Sequence, residues 1–273
     1  MAEILKILDT EMTTPTLYGW FHILWLLITV ASTVLMCKFF KEGTNKQVCT
    51  VMLSVAIGVI LLEVYKQVNY TFSVDAQGKI QGDYQWYAFP FQFCSTPMYV
   101  GLLAGLIRKG KVHESLCAYL ASYAIFAGAA VMVFPGDVFI KTIGINIQTM
   151  ICHGSMIMVG AYLLYTGYVK LELKTILKAM PVFAAAVAMA AVMNEVAAAA
   201  GLLKTEDFNM FYISRHTEST LPVYGAVHEA VPFPLNLVIY IVGFTAAASV
   251  IMLIAMGIKK LGKKSTEKET VSI

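Results

Sequence analysis

Charge is the scarcest commodity in this sequence. Only 14% of its 273 residues are Asp, Glu, Lys or Arg, against about 25% in an ordinary soluble domain. Hydrophobic residues make up 58%, and the mean hydropathy of +0.70 marks an integral membrane protein. There is no glycine-rich phosphate loop, which argues against a nucleotide-driven machine, and no zinc-type CxxC. The five cysteines, at 37, 49, 94, 117 and 152, have no framework spacing. The net charge of +3 implies no nucleic-acid partner, because the basic residues sit in short loops between apolar runs. The start lacks the basic n-region of a cleavable signal peptide: Glu3, Asp9 and Glu11 stand against Lys6. No internal repeat organises the chain.

What is present is a series of apolar runs. Crossing a ~30 Å hydrocarbon core takes about 20 helical residues, and seven stretches approach that length: 17–37, 48–65, 92–107, 114–134, 146–168, 176–201 and 232–258. The third is short. Lysine and arginine distinguish six spans from seven. Lys38, Lys41, Lys46, Arg108, Lys109, Lys111, Lys170, Lys174, Lys178 and the tail lysines 259, 260, 263, 264 and 268 fall in the odd-numbered loops and the tail. Only Lys6, Lys66, Lys79, Lys141, Lys204 and Arg215 fall on the other side. Because basic residues favour the cytoplasmic side, the expected fold is all-α: a single transmembrane domain of seven spans in the cytoplasmic membrane, N-terminus outside and C-terminus inside. Residues 262–273 read as a charged, disordered tail.

Between spans two and three, residues 70–80 read as a small outer β-hairpin, with β-formers on each side of an Asp75-x-x-Gly78 turn. Tyr84, Trp86 and Tyr87 after it suit an interfacial aromatic belt. Residues 204–231 form an outer loop too long for a bare connector. Gly101-x-x-x-Gly105 and the alanine-rich sixth span predict close packing in the bundle interior.

The stretch Phe89-Pro90-Phe91-Gln92-Phe93-Cys94-Ser95-Thr96-Pro97 carries the most chemistry. Pro90 pushes the residue before it out of the helical region, and Pro97 is tolerated only near a first turn. Cys94 is therefore expected in the first turn of span three, where unpaired N–H groups and the helix dipole favour a thiolate. The other polar residues at membrane depth fall in the outer half: His22, Glu63, Asn146, Thr149, Cys152, His153, Asn194 and Glu195. Ionisable groups in a membrane usually face a cavity or the bundle interior, so an outward-open pocket is expected. Asn146, Thr149 and His153 share one helical face. Imidazole titrates near neutrality, so His153 is the candidate base for Cys94, and Gly154 lets another chain approach closely. Competing readings remain open: a His153 that merely bonds a neighbouring helix, a Cys94–Cys152 disulfide, metal or haem ligation by His22 and His153, and a Glu63–Lys66 ion pair in place of a functional Glu63. Cys37, Cys49 and Cys117 read as small apolar fillers.

An ordered set of motifs spans nearly the whole chain: Phe21-His22, Glu63, Pro90-x-x-x-Cys94, Cys152-His153-Gly154, Asn209-Met-Phe-Tyr212 and Pro232-Phe-Pro234. This set resembles the bacterial YwaF-type integral membrane proteins, which are similar to the eukaryotic transmembrane protein 164 family. Two positions depart from the bacterial pattern, which often has His at Gln92 and Tyr at Met210. The resemblance implies acyl transfer on ether phospholipids through a cysteine and a histidine, matched by Cys94 and His153. The expected chemistry is attack by Cys94 on a phospholipid ester, with His153 as base. Asn194 or N–H groups opening span three would hold the oxyanion, and Glu63 or Glu195 would orient His153. His22, Asn146, Thr149 and Asn209 are expected in support. The partners are a phospholipid donor and a lysophospholipid acceptor, and no cofactor is required. The alternative is a non-enzymatic lipid-binding protein or small-solute transporter using the same pocket.

Overall fold

The computed structural model describes residues 1–202 and 208–271. Residues 203–207, where the long loop was expected to begin, and 272–273 at the end of the tail lie outside the described residues. Helix α1 (Ala2–Leu8) leads into α2 (Trp20–Phe39) and α3 (Asn45–Asn69). A two-stranded hairpin follows, β1 (Phe72–Val74) and β2 (Ile80–Gly82), antiparallel with Ser73 opposite Gln81. The expected hairpin is therefore present. Its turn is fixed by Asp75, whose carboxylate accepts from the N–H groups of Gln77 (3.0 Å) and Lys79 (2.8 Å) and from the Gln81 amide (2.9 Å). Gly78 supplies the left-handed residue, at φ +79°.

After the hairpin come α4 (Thr96–Leu106), α5 (Lys111–Leu120), α6 (Tyr123–Val133), α7 (Ile143–Tyr165), α8 (Lys174–Ala199), the short α9 (Tyr224–Ala230) and α10 (Phe233–Val271). Among the described residues, 6 helices are long and apolar enough to cross a membrane: α2, α3, the α5–α6 unit, α7, α8 and α10 to Lys260. The backbone of α10 continues as helix to Val271, through most of the segment expected to be a disordered tail.

The third expected span needs correction. Helix begins at Thr96, four residues after the expected start, and lasts 11 residues, a rise of about 16 Å that is half a hydrocarbon core. The two prolines explain it. Phe89 before Pro90 is extended (ψ 134°), and Pro97 occupies the first turn, so residues 89–95 stay non-helical. The stretch nevertheless runs the length of α3. At one end Gln67 Nε2 donates to the Ala88 carbonyl (2.9 Å); at the other, Arg108 shares a cavity with Asn45 and Lys46. Gly101 and Gly105 allow the close approach. A Cβ on Gly105 would lie 3.1 Å from the Cys49 carbonyl, and one on Gly101 would lie 3.5 Å from Ala56 Cβ.

The alanine-rich helix is not interior as expected. The apolar window of α8 is 28% buried, against 61% for α7 and 67% for the α5–α6 unit. Aromatic rings fill the centre instead. Tyr123 stacks on Phe183 (4.6 Å), Tyr240 stacks on Phe244 (4.4 Å), and Phe93 touches Phe183 (5.3 Å), Phe211 (5.8 Å) and Phe244 (5.1 Å). Such pairs add about 0.5–1.5 kcal/mol each beyond area burial. Cys94 is thus covalently tied to the residue at the hub of the core.

Candidate functional site

Cys94 lies in the turn before α4, ahead of the N-cap Ser95 and outside the first helical turn where it was expected. The dipole's positive end therefore does not act on it as foreseen. An apolar surrounding favours a neutral thiol over a free-standing thiolate, so chemistry at this sulfur needs a base. Cys94 and Cys152 are both free thiols, which sets the disulfide reading aside. Instead, the thiol of Cys152 donates to the Cys94 carbonyl at 3.9 Å, tying α7 to the turn before α4.

His153 follows Cys152 and is buried. Its Nδ1–H donates to the Thr149 carbonyl one turn back (2.7 Å), which fixes the tautomer because a carbonyl can only accept. Nε2 is left as a buried lone pair with no hydrogen-bond partner. Cys94 Sγ and His153 Nε2 therefore sit on elements in direct contact, yet they form no hydrogen bond with each other. Two glycines bring neighbours against this point of α7. A Cβ on Gly128 of α6 would meet the His153 carbonyl at 2.6 Å, and one on Gly154 would meet Thr29 Oγ1 of α2 at 2.6 Å.

Glu63 is paired, as the ion-pair reading has it, and the pair is buried. Lys66 Nζ lies 2.8 Å from Glu63 Oε1, with the two side chains 17% and 7% exposed. Three residues that the sequence reading left out complete the network. Gln67 donates to Glu63 Oε1 (2.7 Å), Gln148 of α7 donates to Oε2 (3.3 Å), and the Tyr84 hydroxyl donates to Gln67 Oε1 (2.7 Å). Burial, with the Glu63 charge behind it, pushes the Tyr84 hydroxyl up, keeping it a donor. Gln148 was legible in principle: it lies one turn before Cys152 on the face of α7 turned to α3. Glu63 does not orient His153, whose Nδ1 is held by Thr149.

The remaining expected site residues serve structure. Asn194 was expected as an oxyanion donor, but both ends of its amide are used on Met210: the Met210 N–H donates to Oδ1 (2.8 Å) and Nδ2 donates to the Met210 carbonyl (3.0 Å). Gln92 clamps the same turn from the other side, donating to the Asn209 carbonyl (3.0 Å) and accepting from the Phe211 N–H (2.8 Å). Asn209 in turn accepts from Ser214 N–H (2.9 Å) and donates to the Glu218 carbonyl (3.3 Å). Glu195 faces Arg215 (2.6 Å) and His216 (3.2 Å) at the surface and does not orient His153. His22 spends both nitrogens, accepting from Tyr18 N–H (3.0 Å) and donating to the Met132 carbonyl (2.8 Å), which leaves none for a metal or haem. Asn146 closes the loop before α7, accepting from Ile140 N–H (2.9 Å) and donating to its carbonyl (2.7 Å).

A Cys–His contact does form at the opposite end of the bundle. There Cys117 Sγ lies 3.6 Å from His113 Nε2, and His113 Nδ1 donates to the Ala104 carbonyl (3.0 Å). Tyr168 bonds both His113 and Asn45, so this cluster joins α5 and α3 to the turn after α7. Cys117 is thus more than a filler.

The fold and its buried polar clusters define a polytopic α-helical membrane protein with a thiol and an imidazole carried on adjoining elements. The model of the TMEM164 family matches residues 17–256, nearly all of the folded chain. The protein belongs to the TMEM164 family. No curated protein and no solved structure matches it.

Proposed function

We propose that the protein transfers an acyl group between membrane lipids through Cys94, with His153 as general base. The observation that carries this reading is the state of His153: a tautomer locked by Thr149, with a buried Nε2 lone pair that nothing else occupies. A general base requires such a nitrogen. Cys94 gives up its proton to Nε2 as its sulfur attacks an ester carbonyl of a phospholipid donor. Collapse of the tetrahedral intermediate breaks the C–O bond, and the leaving alkoxide takes the proton from His153. A thioester on Cys94 and a lysolipid result. The hydroxyl of a lysophospholipid acceptor then attacks the thioester, passes its proton to Nε2, and the returning thiolate is reprotonated. The thioester conserves the energy of the acyl bond, so the cycle is complete without a cofactor.

The oxyanion falls to the backbone in this reading. The Phe93 N–H donates to no main-chain carbonyl among the described residues, which makes it the donor proposed for a developing charge. The Glu63–Lys66–Gln67 network supports the site by holding Ala88 and, through Gln148, α7. In this reading the Cys94–His153 hydrogen bond forms with substrate bound, as catalytic hydrogen bonds often do.

Orientation follows from charge. The hairpin end holds the Cys94–His153 region, and the basic loops fall at the His113 end, which the positive-inside rule assigns to the cytoplasm. The stretch from Ala88 to Arg108 supplies the seventh pass as a helix preceded by a non-helical, turn-containing segment. Its Ala88, Pro90, Phe93 and Cys94 carbonyls accept from the side chains of Gln67, Tyr99, Thr96 and Cys152, as irregular backbone at membrane depth requires. The site then works at the outer leaflet.

The test is intact-mass analysis after incubation with phospholipid. A hydroxylamine-sensitive acyl adduct, lost in Cys94→Ser and slowed in His153→Ala but little changed in His22→Ala, is the expected result. No adduct from folded protein across a range of phospholipid donors would leave lipid binding or transport through the same region as the better reading.

A further inference from the structure

At the basic end of the bundle, away from Cys94, a groove of ≈ 440 Å³ opens between the first half of α3 and the end of α4. Lys46, Thr50 and Ser54 line it from α3 at one-turn spacing, with Leu53 and Ile57 further along the same helix. Arg108, just beyond α4, lines the other side. Both cations lack a counter-ion: among the described residues neither Lys46 nor Arg108 pairs with a carboxylate. Lys46 also stands in the first turn of α3, which holds no acidic residue, where the helix dipole disfavours a cation and favours an anion. The hydroxyls are the second sign. Ser32, Thr33, Ser155 and Thr245 return theirs to a carbonyl of their own helix. Those of Thr50 and Ser54 form no hydrogen bond among the described residues. Both residues are exposed, about 8 and 14 Å along α3 from Asn45 and so below the level of bulk water. Two unpaired cations and two unbonded hydroxyls in one groove point to an anionic occupant rich in oxygen.

We propose that this groove binds the headgroup of one anionic phospholipid from the leaflet opposite Cys94. The phosphate sits between Lys46 and Arg108. Thr50 and Ser54 donate to the glycerol and ester oxygens, and one chain runs past Leu53 and Ile57 toward the membrane centre. Phosphate suits the guanidinium fork of Arg108 and the ammonium of Lys46, and basic pockets between spans take such headgroups. A zwitterionic lipid would bring its own ammonium against one of the two cations, so the pair selects a headgroup without one. A fatty-acid carboxylate has no ester oxygens to offer the hydroxyls. The volume lies within the usual range for ligand pockets, ~300–1,000 Å³, with room for a headgroup and the start of its chains. The lipid held here is a resident ligand and not a reactant. It joins the end of α4 to α3 from outside, far from the thiol, so the site does not rest on the acyl-transfer reading.

The experiment uses the full chain, delipidated in a neutral maltoside detergent. Phosphatidylglycerol is titrated in, and bound lipid is counted by native mass spectrometry. One phosphatidylglycerol should bind saturably and raise the unfolding temperature, as a ligand of the folded state does. Phosphatidylcholine should bind about tenfold more weakly. Lys46→Gln and Arg108→Gln should each weaken phosphatidylglycerol binding about fivefold, a contribution usual for one basic residue at a membrane surface. Ser54→Leu should weaken it as well, by filling the groove from an exposed position that the fold tolerates. Lys109→Gln with Lys111→Gln removes two exposed charges from the same end but outside the groove, and should change little. Equal loss in that control would mean diffuse surface charge, and a thermal shift from inorganic phosphate alone would mean a free-anion site; either overturns the proposal. So does equal affinity for phosphatidylcholine, or wild-type binding by Lys46→Gln with Arg108→Gln. The acyl adduct on Cys94 is scored separately, so the failure of either reading leaves the other standing.

Discussion

Asn194 offers the sharpest test of how this site is built, because two roles for it predict opposite results. It is 1% exposed, and its amide closes a two-bond ring on the backbone of Met210. Asn194→Ala orphans one N–H and one carbonyl. At about 1–3 kcal/mol for each buried group left unsatisfied, the loss is roughly 2–6 kcal/mol. The turn it holds is strained, with Phe211 and Tyr212 at φ +60° and +57°, so little relaxation is available to recover it. Gln92→Ala removes the matching clamp from a half-buried position and should cost about 1–2 kcal/mol. The two clamps share one turn, so their effects should couple and fall short of additive. Reversible unfolding in mixed micelles gives the numbers, with tryptophan fluorescence as the signal; Trp86 reports locally, its ring 6.3 Å from that of Phe208. An oxyanion donor would behave otherwise, losing about 10²–10³-fold in rate at unchanged stability. Stability within 0.5 kcal/mol of wild type, in the range usual for surface substitutions, would refute the clamp.

Other consequences follow from the same contacts. Glu63→Gln strands Lys66 in a buried setting and should destabilise by about 3 kcal/mol, whereas Glu63→Gln with Lys66→Met should recover much of the loss, read in the same unfolding assay. The Gln81 amide and the Lys79 and Gln77 N–H groups hold the Asp75 carboxyl below its ordinary range. The hairpin's stabilisation from Asp75 is therefore present above the ordinary carboxylate range and lost as pH falls through the lowered value. Amide shifts of residues 77 and 79 should move with that titration, and Asp75→Asn should abolish the dependence. Reporter fusions at the C-terminus and near Gly78 should report opposite sides of the membrane; the same side would mean that residues 89–106 do not cross.

How much of this was legible in the sequence depended on whether a signal was local. The long helices declare themselves by composition, and the hairpin by the Asp75-x-x-Gly78 turn, because each is determined within a few residues. Pro90 and Pro97 also said where α4 could begin, yet the apolar run from Gln92 still read as a span. Hydropathy counts residues that sit at membrane depth, whether or not their backbone is helical, and the ring cluster around Phe93 makes a non-helical segment as apolar as a helix. Polar residues misled for a related reason. His22, Asn146 and Asn194 sit at the depth where a site was expected, but depth says only that a polar group must be satisfied, not by what. Each found a backbone group: Met132 in α6, Ile140 in the loop before α7 and Met210 beyond α8. Such partners leave no sequence signature, because any residue offers a carbonyl. His153 differs in that one nitrogen is bonded within its own helix and the other is not bonded at all. A nitrogen with no structural partner is what separates it from His22, and that difference became visible only once the chain was folded.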